Sequence, residues 1–128
     1  LWEPQQAIGG GPMLVYRGEN VAMKYYYREI MHTGGTSGQT RQPRTAVGAS
    51  HDGKVMLLVC DGRGNNGSNG LTLSEMADIF VEKGMYYAIN LDGGGSSAIV
   101  DYDGELSNNP SDGSERAVPT VVVLSEVE

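Results

Sequence analysis

A chain of 128 residues fits one domain built around one core. Its hydrophobic share of 39% and charged share of 20% describe a globular domain, not a disordered one. The net charge of −7 argues against a nucleic-acid surface, which needs clustered Lys and Arg, and no apolar run approaches the ~18 residues that span a bilayer.

Leu1 and Trp2 read as an interior segment, not a natural start. Gly9-Gly10-Gly11-Pro12 precedes Met13-Leu14-Val15-Tyr16, a predicted strand. Arg17–Asn20 is expected to turn, and Val21–Tyr27 to run back as a hairpin partner. His32–Pro43 lacks periodicity and reads as a long polar loop. Thr45–Ser50 and Lys54–Cys60 flank His51-Asp52-Gly53, and Asp-Gly between apolar runs predicts a hairpin. Cys60, the single cysteine, is expected to be a buried inert thiol. Gly64–Gly70 forms a further polar loop.

Thr72-Leu73-Ser74-Glu75 has the form of a capping box. Leu73, Met76, Ala77 and Phe80 follow at helical spacing, and Gly84 suits the position after the helix. This predicts the principal helix, about 72–83. A strand at 86–91 leads into Asp92-Gly93-Gly94-Gly95-Ser96-Ser97. Ser97–Asp101 and Glu105–Leu106 flank a second Asp-Gly turn, and Thr120–Leu124 is β-branched enough to predict a central strand. The class expected is α+β: a mixed or antiparallel twisted sheet with hairpins and the 72–83 helix packed on it.

The glycine turn is the richest chemical feature. Three glycines at a strand end leave backbone N–H groups open to an anion, with the Asp92 carboxylate before them and two hydroxyls after. It is not a P-loop, because no Gly-Lys-Ser/Thr follows, nor a Gly-x-Gly-x-x-Gly dinucleotide turn. A nucleophile elbow needs Gly-x-Ser-x-Gly, and no histidine follows His51 to complete a triad after Ser96. Zinc is disfavoured by one Cys and two distant His. Asp61, Asp92, Asp101, Asp103 and Asp112 offer oxygen ligands of the kind Ca²⁺ or Mg²⁺ takes, without EF-hand spacing. Other polar residues gather at strand ends and in one loop: Arg44; Asp61 and Arg63; Asn90 and Asp92; and Asn108, Asn109, Ser111, Asp112, Glu115 and Arg116.

Five blocks carry a resemblance: Ile8–Pro12, Arg44–Gly48, Asp61-Gly62-Arg63, Asn90–Ser97, and Asn109–Gly113 followed by Glu115-Arg116. In order and spacing the sequence resembles the phosphodiester glycosidase family, which includes bacterial exopolysaccharide-related members. Family domains are usually longer, so the resemblance implies a single domain over 1–128 that lacks its N-terminal part. It implies a secreted or cell-envelope hydrolase that releases a GlcNAc-like sugar from a sugar-1-phosphodiester. The partners expected are that substrate and the missing segment, with no cofactor required.

In that reading Asp92 is the nucleophile or general base, with Glu115 the other candidate. Arg44 and Arg116 clamp the phosphate, helped by the amides of Gly93, Gly94 and Gly95. Asp61, Arg63, Asn90, Ser96, Ser97, Asn109, Ser111 and Asp112 bind substrate. A phosphate leaving group is already a weak base, so charge stabilisation replaces the protonation that ordinary glycosidases supply. The alternative from another class is a non-catalytic phosphoglycan- or glycan-binding module.

Overall fold

The structure is a computed structural model that describes residues 3–35 and 37–127. Leu1 and Trp2, and Thr36 within the expected polar loop, lie outside the described residues. The strands are β1 (Met13–Tyr16), β2 (Glu19–Asn20), β3 (Arg44–Ala49), β4 (Val55–Cys60) and β5 (Tyr87–Asn90). They form one sheet in the order β2-β1-β5-β3-β4, with every pairing antiparallel. Two α-helices accompany it, α1 (Ala22–Arg28) and α2 (Leu73–Glu82). The α+β class is as the sequence predicts.

Helix α2 begins where its cap dictates. Thr72 accepts Glu75 N at 3.1 Å while Glu75 Oε2 accepts Thr72 N at 2.9 Å, so two otherwise orphaned donors are satisfied. Gly84, at φ 78°, ends the helix region. Leu73, Met76, Ala77 and Phe80 are buried on one stripe against Leu14, Val15, Ala46 and Ala88 of the sheet. Burying a side chain such as Phe80 contributes roughly 1.5–3 kcal/mol.

Three sequence expectations are corrected. Val21–Tyr27 is not a strand: helix α1 covers Ala22–Arg28, with Asn20 Oδ1 accepting Ala22 N at 3.1 Å at its start. Ala22 and Tyr26, four apart, are its buried residues, and that spacing outweighs the β preference of the three tyrosines. Thr120–Leu124 pairs with none of the five strands, and Val121, Val123 and Leu124 are exposed. Strand propensity without a ladder partner leaves the segment irregular. Cys60 is half-buried on edge strand β4, its thiol donating to Asp61 O at 3.1 Å. The first Asp-Gly hairpin forms as expected, Ser50 N donating to Lys54 O at 2.9 Å. The second reduces to a single bridge, Val100 to Leu106.

Along β3 the residues facing α2 are buried, while Thr45, Val47 and Ala49 on the other face are half-buried. That outer face carries a shallow groove of about 350 Å³ lined by Met13, Val47, Val55, Tyr87 and Ile89 among others. Among the described residues no helix is long and apolar enough to cross a membrane.

The Glu75 carboxyl sits below its ordinary value of 4.5, chiefly because it accepts the Thr72 amide. A depressed carboxyl stabilises the fold above its unfolded value and loses that contribution as pH falls through the folded one. The stability gap between the parent and Glu75→Gln should therefore be widest at neutral pH and close below pH 4.5, as read by thermal melts across pH.

Candidate active site

Antiparallel pairing brings one set of chain ends together. The start of β3 and the ends of β4 and β5 lie at one end of the sheet, and the start of β1 joins them through its pairing with β5. Gly11 N donates to Asn90 O at 2.8 Å, and Asn90 Nδ2 returns a bond to Gly11 O at 2.8 Å. The Gly9–Pro12 block, the Asp61 loop and the glycine turn therefore meet at this end.

Pro43, the residue before β3, is the fixed point. It is fully buried. Its carbonyl accepts Gly94 N at 2.9 Å, and a Cβ on Gly93 would stand 3.0 Å from the same oxygen. On another side a Cβ on Gly62 would be 2.6 Å from Pro43 N and 2.8 Å from its Cδ. Glycine is required at Gly62 because no side chain fits, and the same crowding packs the two loops around one backbone.

Two arginines close on the glycine turn. Arg63 has a left-handed backbone, φ 57°, and its Nη2 would lie 3.3 Å from a Cβ on Gly94. Its guanidinium donates to Gln42 Oε1 at 3.1 Å and Ser111 Oγ at 3.2 Å, and neither partner is charged. Arg116 donates from Nε to Asp112 Oδ2 at 2.9 Å and from Nη2 to the same oxygen at 2.5 Å, and reaches Ser96 Oγ at 3.4 Å. A Cβ on Gly95 would collide with both the Arg116 guanidinium and the Asp112 carboxylate. Asp112 thus balances the charge of Arg116, while Arg63 has no carboxylate partner among the described residues.

Arg44 does not take the place expected of it. Its buried guanidinium donates to Leu71 O at 3.0 Å, Thr40 O at 2.9 Å and Ser37 O at 3.2 Å. Burial pushes it below its ordinary value, with the nearby Tyr26 hydroxyl opposing the shift. These bonds tie the polar loop to the start of α2, and none goes to the glycine turn. The amide of Gly94 is likewise occupied, by Pro43, so the expected cradle of three free amides is smaller by one.

The remaining expected residues divide clearly. Asp61 faces the 108–109 segment, accepting Asn108 Nδ2 at 3.0 Å and Asn109 N at 3.0 and 3.1 Å. Asn109 enters through its backbone, and Ser111 through Arg63. Ser97 is buried, and its Oγ, like Asn90 Oδ1 and Thr45 Oγ1, has no protein partner among the described residues. Asp92 and Glu115 are exposed and make no side-chain hydrogen bond to a described residue. Among those residues no three of His, Cys, Asp and Glu gather as a metal-binding group, so the five aspartates considered for Ca²⁺ or Mg²⁺ are not brought together.

Asn108, Gln42 and Asn65 also build the site. Asn65 Nδ2 donates to Pro110 O at 2.9 Å, which holds the Gly64–Gly67 turn against the 108–116 loop. Asn108 stood among the polar loop residues but nothing local assigned it a role. Gln42 and Asn65 lie in Gly- and polar-rich loops where no spacing distinguishes them.

The family model for phosphodiester glycosidases matches residues 2–125. The chain belongs to the phosphodiester glycosidase family. Bos taurus N-acetylglucosamine-1-phosphodiester alpha-N-acetylglucosaminidase is 40% identical over 90 residues, 65% of this chain and 16% of that enzyme. The catalytic domain of the zebrafish enzyme, auto-inhibited by its pro-peptide, superposes with a TM-score of 0.67 at 29% identity, over 81% of this chain and 34% of that one. A Burkholderia pseudomallei protein, named as an exported protein, superposes with a TM-score of 0.52 at 42% identity, over 56% of this chain and 14% of that one. The chain thus spans a small part of the length of the relatives it matches.

Gly95→Ala isolates the close contact at the glycine turn. The colliding atoms are the mobile ends of Arg116 and Asp112, so the loss of unfolding free energy should stay below about 1 kcal/mol in urea titration. The Arg116 Nε–H resonance should shift as its bond to the displaced Asp112 carboxylate changes.

Proposed function

We propose that this chain carries part of the active site of a hydrolase that releases a sugar, GlcNAc-like, from a sugar-1-phosphodiester. The observation that carries the reading is the Arg63 guanidinium, held over Gly94 by neutral partners in a chain of net charge −7. An uncompensated cation beside a bare glycine backbone favours an anion of phosphate type. The activity in the bovine and zebrafish relatives' names supports the same choice.

In this mechanism Arg63 and Arg116 receive the phosphate, each charge-assisted contact contributing about 1.5–3 kcal/mol. Arg44 has no phosphate role. Asp92, directly before the turn, activates water at the anomeric carbon, or attacks that carbon to form a glycosyl ester that water then hydrolyses, and Glu115 is the second carboxylate available. The C1–O bond breaks and the electron pair leaves with the phosphate monoester, which needs no proton to depart. Arg63 and Arg116 stabilise the charge that develops on it. Secretion, or residence in the cell envelope, is the location proposed, supported by the Burkholderia relative's name as an exported protein. The half-buried apolar outer face of the sheet supports a further layer of the family domain as a packing partner.

Hydrolysis of a GlcNAc-1-phosphodiester in ¹⁸O-water tests the reading. Label is expected in the released sugar, and Asp92→Asn should lower turnover by about 10²- to 10⁴-fold. Label in the phosphate would make the chain a phosphodiesterase. Binding without any turnover would make it a phosphoglycan-binding module.

A further inference from the structure

Asn108 joins three separate parts of the chain. Its Oδ1 accepts Ile99 N at 2.9 Å, and its Nδ2 donates to Ser97 O and to Asp61 Oδ1, each at 3.0 Å. An asparagine side chain accepts at one end and offers two protons at the other, and here both ends are matched. Asp61 completes the joint by accepting Asn109 N on both carboxylate oxygens.

The joint links the two chain segments that carry the arginines. Arg63 follows Asp61 after the tightly packed Gly62, and Arg116 closes the loop that begins at Asn108. Ser97 O belongs to the end of the glycine turn itself. Two more bonds hold the same loops in register, Arg63 Nη1 to Ser111 Oγ and Asn65 Nδ2 to Pro110 O. Asn108 is the side chain that bonds both to the Asp61 loop and to the end of the turn, through Asp61 Oδ1 and Ser97 O.

We propose that Asp61 and Asn108 are a positioning pair that sets where Arg63 and Arg116 stand over the glycine turn, and thereby how tightly the site holds a phosphate group. This rests on the sugar-1-phosphodiester reading and removes Asp61 from the substrate-binding set. Asp61 acts through the loop it anchors and does not touch substrate.

Asn108→Asp keeps the side-chain shape but removes both donated bonds. It also sets a second carboxylate at hydrogen-bond distance from Asp61. Two carboxylates that close share one proton, so one of them titrates far above its ordinary range. Acidification then lets the protonated partner donate to the other and restores the joint.

With inorganic phosphate as the probe, Asn108→Asp should bind about tenfold more weakly than the parent near pH 7.5, the gap narrowing toward about pH 5. The ratio of kcat values on the sugar-1-phosphodiester should follow the same profile. Thermal melts at each pH establish that both proteins are folded at the assay temperature, which separates positioning from stability. Asp61→Asn decides the matter if Asn108→Asp does not fold. It sets a donor against Asn109 N and should weaken phosphate binding without recovery in acid. Parent-like phosphate affinity in a folded variant overturns the proposal. A parent that binds phosphate with this pattern but cleaves no phosphodiester leaves the pair standing and removes the glycosidase reading. A parent that binds no phosphate overturns both.

Discussion

The packing of Gly62 and Gly93 against the backbone of Pro43 is the constraint on which the rest of the site depends. Pro43 leads directly into β3, the strand that pairs with both β4 and β5. A side chain at Gly62 would force the Asp61 loop away from this point, because its clash is with proline backbone and ring atoms that cannot move aside. The same proline carbonyl accepts the Gly94 amide, so one residue fixes both the turn and the neighbouring loop. Arg63 reaches the glycine turn because its own loop is held this close.

Above that base the site is polar and mutually supported. Asp61 holds the 108–109 segment, Asn65 holds Pro110, and Asp112 orients Arg116. Each partner comes from a loop, while the strands that carry the loops are braced by the apolar contacts of α2. This division matches the usual placement of functional groups on loops held by a rigid scaffold. The two arginines stand in different electrostatic settings. Asp112 offsets the charge of Arg116, whereas Arg63 meets only neutral acceptors. Attraction for an anion is therefore strongest on the Arg63 side of the turn.

Several short-range patterns were legible in the sequence. The capping box at Thr72, the stripe from Leu73 to Phe80 and the Asp52-Gly53 hairpin follow from short-range rules and form as read. Signals failed where tertiary contacts decide. The tyrosines at 25–27 suit a strand, but burial of Ala22 and Tyr26 on one face makes a helix. Thr120–Leu124 has strand composition without a strand to pair with. Arg44 illustrates the same limit at the site: its position in the sequence suits a phosphate clamp, yet three main-chain carbonyls take its guanidinium.

By itself the sequence determined the family, the α+β class, the principal helix and the set of polar residues from which the site is drawn. Residue type and spacing carry that much, because capping, periodicity and turn formation act over a few positions. Only the tertiary structure decided which of those residues meet. It chose Arg63 over Arg44 for the glycine turn, turned Asp61 toward Asn108, and left Asp92 and Glu115 exposed without side-chain partners. The physical reason is that a guanidinium or carboxylate takes whichever hydrogen-bond partners the folded backbone brings within about 3 Å, and sequence order does not reveal that distance.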